Sequence, residues 1–194
     1  MLRKALLLTC LFSAVPAMAA GPLSFGVIGG WPLVNLVDAK APYTSIFNKW
    51  AVGGVIDLDL PFGLGTELDL MREGNSGYSI GSLTTSAGAW QFPLLLKYKF
   101  GKGPVRPYVG AGIAFRHLSE LKQLGDPTLL FTQSQGSRGF VFEGGVRFNL
   151  KLIKLAPELR YTHWDNSPIT LGSLASQVVN YRQNQVEALI GLTF

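Results

Sequence analysis

The sequence predicts an all-β protein, an eight-stranded antiparallel up-and-down transmembrane β-barrel. Apolar and polar residues alternate through eight segments, most of them about ten residues long, as in strands with two different faces. The connections between the segments alternate between long and short. Aromatic residues collect at the two ends of the segments, as expected where a barrel meets the two surfaces of a bilayer.

The N-terminal 19 residues predict a secretory signal peptide. Arg3 and Lys4 precede an apolar stretch at 5–15, and the small-x-small sequence AMA follows at 17–19. A dozen apolar residues are too few to cross ~30 Å of hydrocarbon as a helix. We therefore expect cleavage after residue 19 and a single barrel domain over residues 20–194.

Composition excludes several classes of protein. The chain has 17 basic and 12 acidic residues, and removal of Arg3 and Lys4 leaves 15 against 12, an excess of three. That excess is too small and too dispersed for a nucleic-acid-binding protein. The one cysteine, Cys10, lies in the signal peptide, so the mature chain is expected to have no disulfide and no thiol chemistry.

The predicted strands and their connections follow the alternation. The strands cover 23–31, 50–60, 64–72, 87–100, 106–117, 140–150, 155–164 and 185–194. The connections at 61–63, 101–105 and 151–154 are short, and those at 32–49, 73–86, 118–139 and 165–184 are long. In one long connection Leu118, Leu121 and Leu124 have helical spacing and predict a short helix ending near Gly125.

The two faces of the strands differ in charge. One face is apolar, as in Trp90, Phe92, Leu94 and Leu96, and is assigned to lipid. The other face carries seven acidic and six basic residues: Asp57, Asp59, Glu67, Asp69, Lys97, Lys99, Arg106, Arg116, Glu143, Arg147, Glu158, Arg160 and Glu187. Since eight strands enclose a lumen only wide enough for side chains, we expect a plug of ion pairs. A narrow polar path for ions is the alternative.

Aromatic residues favour a membrane barrel over a soluble one. The long-connection ends carry the four tryptophans, Trp31, Trp50, Trp90 and Trp164, and the opposite ends carry Phe62, Phe100, Phe148 and Phe194. Two such belts suit the two interfaces of a bilayer. In a soluble carrier of the lipocalin type the inner and outer faces would be exchanged, and the aromatic residues would have no reason to separate in this way.

The chain ends in VEALIGLTF, an alternating segment with a terminal phenylalanine. With the signal peptide and the eight strands, it resembles the small bacterial outer-membrane β-barrels that include OmpA-type transmembrane domains, OmpX, OmpW and opacity-like proteins. The resemblance implies an outer-membrane location, with the short turns in the periplasm, and recognition of Phe194 by the barrel-assembly machinery. Membrane lipids and lipopolysaccharide are the expected partners, and a monomer is the expected state.

Three functions are compatible with this architecture. A structural or surface-interaction role through the outer loops is expected, since a closed ladder satisfies the backbone independently of the loops. A narrow pore or a channel for small hydrophobic molecules, as in OmpW-like barrels, is the first alternative. The second is an enzyme acting on lipid.

The enzyme hypothesis depends on the stretch RYTHWDNSPI at 160–169. It resembles the His-x-Ser-Asn motif of lipid A deacylases, in which i, i+2 spacing places the nucleophile and base on one face of a strand. His163 and Asn166 match, but Asp165 replaces the serine and Ser167 has the wrong parity. The next glutamate is Glu187, predicted to face the lumen, so no catalytic residue is expected. No metal site or cofactor is predicted either, since neither histidine has ligands at a suitable spacing.

Overall fold

The computed structural model describes residues 22–34, 37–39, 44–47, 49–80, 83–124, 131–134, 136–150, 152–165, 169–171 and 179–194. The predicted signal peptide lies outside these residues. In the part of the chain that they cover, no helix is long and apolar enough to cross a membrane.

Eight long strands form a closed antiparallel barrel, which confirms the predicted fold class. They are β1 (Leu23–Pro32), β4 (Ala51–Asp59), β5 (Leu64–Ile80), β6 (Leu83–Lys99), β7 (Val105–Leu124), β9 (Ser137–Asn149), β10 (Lys154–Trp164) and β13 (Asn184–Thr193). The order around the sheet is β5, β4, β1, β13, β10, β9, β7 and β6, and pairing of β5 with β6 closes the ring. Every long strand therefore has two hydrogen-bonded neighbours.

Five short strands lie within the predicted long connections. They are β2 (Val37–Ala39), β3 (Thr44–Phe47), β8 (Phe131–Ser134), β11 (Ile169–Leu171) and β12 (Val179–Tyr181). β3 pairs with the upper part of β5, β2 pairs with β12, and β8 pairs with β11. The long connections thus contain sheet structure of their own.

The strands β5, β6 and β7 are longer than predicted. The expected connection at 73–86 is instead a continuation of the β5–β6 hairpin, in which Ser79 pairs with Thr84 and Ile80 with Leu83. The helix predicted from Leu118 to Leu124 was wrong, because this segment continues β7 and pairs with β6. Cross-strand pairing to an existing edge outweighs the local helical spacing.

A tight turn at the opposite end of the barrel joins β4 to β5. The Leu60 amide donates to the Leu64 carbonyl at 2.9 Å, across a 3-10 turn at Pro61–Gly63. Phe62 has a φ of 64° and Gly63 a φ of 82°. Phe62 is also 91% exposed, as an aromatic residue in the lower belt should be.

Side chains alternate between the lumen and the outside along the barrel strands. Large apolar side chains face outwards, including Val52, Ile56, Phe92, Leu94, Ile113 and Phe142. The predicted apolar face is therefore the outer face, and the charged face lines the lumen.

Candidate functional site

Charged and polar side chains fill the lumen in three groups. The turn-end layer consists of Asp57, Asp59, Lys99, Arg147 and Lys154. The middle layer consists of Glu67, Asp69, Lys97, Tyr108, Glu143, Glu158 and Arg160. The loop-end layer consists of Glu73, Gln91, Arg116, Trp164, Gln185 and Glu187.

In the turn-end layer, two aspartates are surrounded by three basic side chains. Arg147 and Lys99 each contact both carboxylates, with Arg147 Nη1 at 3.2 Å from Asp59 and Lys99 Nζ at 3.3 Å from Asp57. Lys154 Nζ lies 3.3 Å from Asp59 and donates to the Ser24 hydroxyl at 2.6 Å. Both carboxylates thus have more than one cationic partner, which is the arrangement in which buried ions are tolerated.

Arg160 is the centre of the middle layer. Its guanidinium contacts four carboxylates, two from β5, one from β9 and one from its own strand: Asp69 at 2.6 Å, Glu67 at 3.2 Å, Glu143 at 3.1 Å and Glu158 at 2.7 Å. The side chain is completely buried. An arginine suits this position because its planar fork donates in several directions at once.

Lys97 occupies the space between three of these glutamates. Glu67, Glu143 and Glu158 place carboxylate oxygens within 4.8 Å of one another. Lys97 Nζ lies 2.5 Å from Glu67, 2.8 Å from Glu143 and 3.6 Å from Glu158. Tyr108 donates its phenolic hydrogen to Glu158, and its ring lies 4.6 Å from Lys97 Nζ. Acidic residues on three strands therefore hold an ammonium group where a free cation would otherwise fit.

Glycines on the strands make room for the large side chains of the plug. A Cβ on Gly145 would lie 2.6 Å from the Tyr108 hydroxyl oxygen, and one on Gly110 would lie 2.8 Å from the Glu143 side chain. Both are closer than carbon contacts allow, so the missing Cβ atoms are part of how the lumen is filled.

The loop-end layer is built around an amide. Gln185 Oε1 accepts from Trp164 Nε1 at 2.9 Å, from Gln91 Nε2 at 3.3 Å and from the Arg116 guanidinium. Gln185 Nε2 donates to Glu73, whose carboxylate also lies 3.6 Å from Arg116. Arg116 stacks over the Trp164 ring at 3.9 Å from its centroid, a favourable cation–π distance.

Glu187 differs from the other lumen carboxylates. It is completely buried, and neither of its oxygens accepts a hydrogen bond from a residue that the structure describes. Glu73 repels its negative charge, while Arg160 and Arg116 attract it. A buried carboxylate without hydrogen bonds is costly to keep ionised.

Most of the predicted lumen charges lie in the three layers, but Arg106 does not. Its guanidinium donates to the backbone carbonyls of Gly103 and Lys102 in the β6–β7 turn. It has inward parity but lies at the strand end, where turn carbonyls are the nearer acceptors. Sequence reasoning missed Glu73 and Lys154, which belong to the layers but fall just outside the predicted strand limits. Glu73 has the same parity as Asp69, and Lys154 has the same parity as Arg160, so alternation could have identified both as lumen residues.

The aromatic belt at the loop end of the barrel, called the upper belt here, contains three of the four predicted tryptophans. Trp31, Trp50 and Trp90 are exposed on the outer face. The prediction for Trp164 was wrong, because its side chain is 0% exposed and belongs to the loop-end layer. Trp164 has the same parity as Arg160, and this parity places it inside the barrel although its height matches the belt.

At the other end of the barrel, Phe100 is exposed, whereas Phe148 and Phe194 are half-buried. The amide of Phe194 donates to the Phe25 carbonyl at 2.9 Å. The last residue is therefore held against β1. Its recognition during assembly stays a prediction.

The deacylase-like stretch forms the end of β10. His163 is exposed on the outer face, and its Nδ1 lies 2.7 Å from Asn184 Oδ1. Glu187 lies inside the barrel, on the other side of the wall from this histidine. Asp165 bonds the backbone of Arg138, while Asn166 and Ser167 lie outside the described residues. The described members of this motif therefore do not form a nucleophile, base and orienting acid.

Comparison with known proteins relates this architecture to a family. The family model for the outer membrane protein beta-barrel domain matches residues 5–194. OprG, an outer membrane protein from Pseudomonas aeruginosa, is 16% identical, with a TM-score of 0.59 and coverage of 89% of this chain and 94% of that chain. Neisserial surface protein A is 15% identical, with a TM-score of 0.57 and coverage of 88% and 94%. A major outer membrane protein from Thermus thermophilus is 14% identical, with a TM-score of 0.55 and coverage of 90% and 98%.

No curated protein matches the chain. At identities of 14–16% the likeness to the solved structures concerns the fold. The family match, in contrast, extends over nearly the whole sequence. The chain therefore belongs to the outer membrane protein beta-barrel domain family, and its location is the outer membrane.

Proposed function

We propose that this protein is a non-conducting outer-membrane barrel that acts through its loop end as a structural or surface-interaction protein. The observation that carries the proposal is the lumen, which ion pairs and hydrogen-bonded side chains occupy from the turn-end layer to the loop-end layer. An ion crossing the barrel would have to displace Arg160 from four carboxylates. Breaking a buried pair costs about 3–5 kcal/mol.

The unequal strand lengths support a role for the loop end. β5 has 17 residues, and a strand of that length, tilted by about 40°, rises about 44 Å. The apolar band of such a barrel is only about 25 Å tall. β1, with 10 residues, rises about 26 Å by the same reckoning. The hairpin of β5 and β6 therefore extends well beyond the membrane on one side of the barrel.

Single-channel recording in planar bilayers tests the closed lumen. We expect no resolved current steps from the unmodified protein. Replacement of Arg160 by alanine together with Glu158→Ala removes the centre of the plug and should introduce steps. Well-resolved, regular steps from the unmodified protein would contradict the proposal.

Surface display needs a separate test. An epitope inserted between β5 and β6, after Ile80, should be accessible to antibody on intact cells. The same epitope inserted in the turn after Phe62 should be accessible only after the outer membrane is permeabilised. The reverse result would contradict the assignment of the loop end to the cell surface.

A channel for small hydrophobic molecules is the second candidate, and one observation favours it. Pairing of β9 with β10 is interrupted between Leu155–Phe148 and Glu158–Gly145, next to Pro157, which has no amide hydrogen to donate. A cleft of about 420 Å³ on the outer face reaches Glu158 there. Faster uptake of an apolar dye by vesicles containing the protein, without ionic current, would favour this candidate.

A further inference from the structure

A second cleft lies on the outer face of the barrel, near the loop end, where β7, β9 and β10 meet. It has a volume of about 260 Å³ and is lined by Ile113, Ala114, Phe115, Arg138, Gly139, Phe140 and Asp165. The small residues Ala114 and Gly139 pair with each other across β7 and β9. Phe115 and Phe140 are exposed beside them, so the cleft is an apolar trough with two charged residues at its rim.

Arg138 places a cation on the lipid-facing side of the barrel. It has the same parity as Phe140 and Phe142, which are exposed on the outer face, and its own side chain is exposed. Its cross-strand partner is Phe115, two residues from His117, which pairs with the belt residue Trp90. Arg138 therefore lies at the depth of the upper aromatic belt, where lipid headgroups meet acyl chains.

Asp165 fixes the position of Arg138 through the backbone. Asp165 Oδ1 accepts the Arg138 amide hydrogen at 3.0 Å, and the Asp165 amide donates to the Arg138 carbonyl at 2.8 Å. This reciprocal pair joins the start of β9 to the end of β10. The backbone groups of Arg138 are therefore engaged by Asp165, and the guanidinium is the part of Arg138 that can bind a molecule in the cleft.

Other basic side chains lie at outward positions of the same part of the belt. Arg72 on β5 stacks over Trp90 on β6, with its guanidinium carbon 5.4 Å from the ring centroid. His117 on β7 and His163 on β10 are exposed to either side of β9. Basic side chains therefore lie on β5, β7, β9 and β10, four of the five adjacent strands in this part of the barrel.

We propose that this cleft binds a phosphorylated glycolipid of the outer leaflet, with a phosphate on Arg138 and an acyl chain along Phe115 and Phe140. The trough accommodates a hydrocarbon chain, and an arginine at headgroup depth matches a phosphate by charge-assisted hydrogen bonds. A lipid supplies both groups in one molecule: Phe115 lies opposite Arg138, and Phe140, which pairs with Ile113, lies two residues further from the loop end. This site does not use the loops, but it rests on the proposed assignment of the loop end to the cell surface, which the epitope experiment tests separately.

Native mass spectrometry of the folded mature protein in detergent tests the site. Lipid A is the probe, and dephosphorylated lipid A and inorganic phosphate are the comparisons. We expect one saturable lipid A adduct, weaker binding of the dephosphorylated lipid, and no displacement by inorganic phosphate at the same concentration. Equal binding of the two lipids, or displacement by inorganic phosphate, would overturn the proposal.

Matched variants separate the site from general charge effects. Arg138→Gln should weaken lipid A binding about tenfold. Asp165→Asn retains the oxygen that accepts the Arg138 amide but removes a negative charge near the phosphate, and should strengthen binding about twofold to fivefold. Lys102→Gln, at the exposed β6–β7 turn, should leave the affinity unchanged.

Gel mobility in detergent checks that each variant has folded, because a closed barrel should migrate differently before and after boiling. Unchanged affinity in folded Arg138→Gln would overturn the proposal. An equal loss of affinity in Lys102→Gln would do so as well, because it would indicate a general effect of charge.

Discussion

The turn-end and loop-end layers of the lumen both contain carboxylates, but the partners of these carboxylates differ. In the turn-end layer, three basic side chains surround two aspartates, and Asp57 and Asp59 each have at least two ionic contacts. In the loop-end layer, the described residues provide one basic side chain for two glutamates, and an amide and an indole supply the remaining hydrogen bonds.

The difference shows that a near balance of charge along the sequence does not produce a local balance. Lumen charges are neutralised layer by layer, because interactions between buried ions depend on contact distance and geometry. We therefore expect the loss of one basic side chain to be most costly in the turn-end layer, because it leaves buried carboxylates with fewer partners. The loop-end layer contains Glu187, a buried carboxylate that accepts no hydrogen bond from the described residues, and such a group is costly to keep ionised.

Arg147→Ala should have the largest effect, because it breaks the better-matched layer. It leaves Asp57 and Asp59 with only the lysines, and loss of one partner from a buried ion pair costs about 3–5 kcal/mol. We expect the free energy of unfolding to fall by about 3 kcal/mol, measured by urea unfolding in phospholipid vesicles.

Arg106→Ala is the matched control for that change. Arg106 bonds only turn carbonyls among the described residues, so its loss should change the free energy of unfolding by less than about 0.5 kcal/mol. Similar losses in the two variants would mean that the Arg147 ion pairs contribute no more to stability than the hydrogen bonds of Arg106 in the β6–β7 turn.

Glu187→Gln should have the opposite sign. Replacing a buried carboxylate that accepts no hydrogen bond by a neutral side chain of the same shape should stabilise the barrel by about 1–2 kcal/mol at neutral pH. Asp57→Asn, the comparison in the turn-end layer, should be destabilising in the same urea titration. Destabilisation of Glu187→Gln by a similar amount would show that the two layers are equivalent.

Trp164→Phe should have a smaller effect. The change keeps a ring beneath Arg116 but removes the indole hydrogen donated to Gln185, and a buried hydrogen bond of this kind contributes about 1 kcal/mol. Because Gln185 Oε1 keeps two other donors, the loss due to the hydrogen bond should not exceed this value, and the space left by the smaller ring adds to it. A loss several times larger would mean that the layer depends on the indole rather than on the amide.

Fluorescence quenching tests which tryptophans face lipid. Lipids brominated on their acyl chains should quench Trp31, Trp50 and Trp90, which are exposed on the outer face, but not Trp164, which is enclosed in the lumen. Single-tryptophan variants compare the four positions directly. Equal quenching of Trp164 would return it to the belt and contradict its place in the loop-end layer.

The fold could be predicted from sequence because strand parity is a local property. A period of two separates Phe92 and Leu94 from Lys97, and a closed barrel has only two faces to which they can be assigned. Strand limits were harder, since β5 continues to Ile80 through pairing with β6. That pairing is not encoded by apolar alternation in β5 alone.

The candidate site was predictable in part. Parity identified most lumen charges, but contact partners depend on strand tilt and register across the barrel, which are not local. Parity correctly predicted that Arg106 faces inwards. Its position at the end of β7, however, leaves it outside the three lumen layers. Trp164 was assigned to the aromatic belt from its height along the strand, although its parity predicts that it faces the lumen. Parity and depth therefore have to be considered together at the ends of strands.

The ion pairs across the lumen also constrain the order of assembly. Asp57 meets Arg147, and Glu67 meets Arg160, across sequence separations of 90 and 93 residues. While β9 and β10 are absent, the acidic groups of β4 and β5 lack their arginine partners and lie on an uncovered face of the sheet, where they must remain hydrated. An incomplete barrel would therefore be retained at the water boundary of the bilayer. Entry into the hydrocarbon and closure of the ring become a single cooperative event.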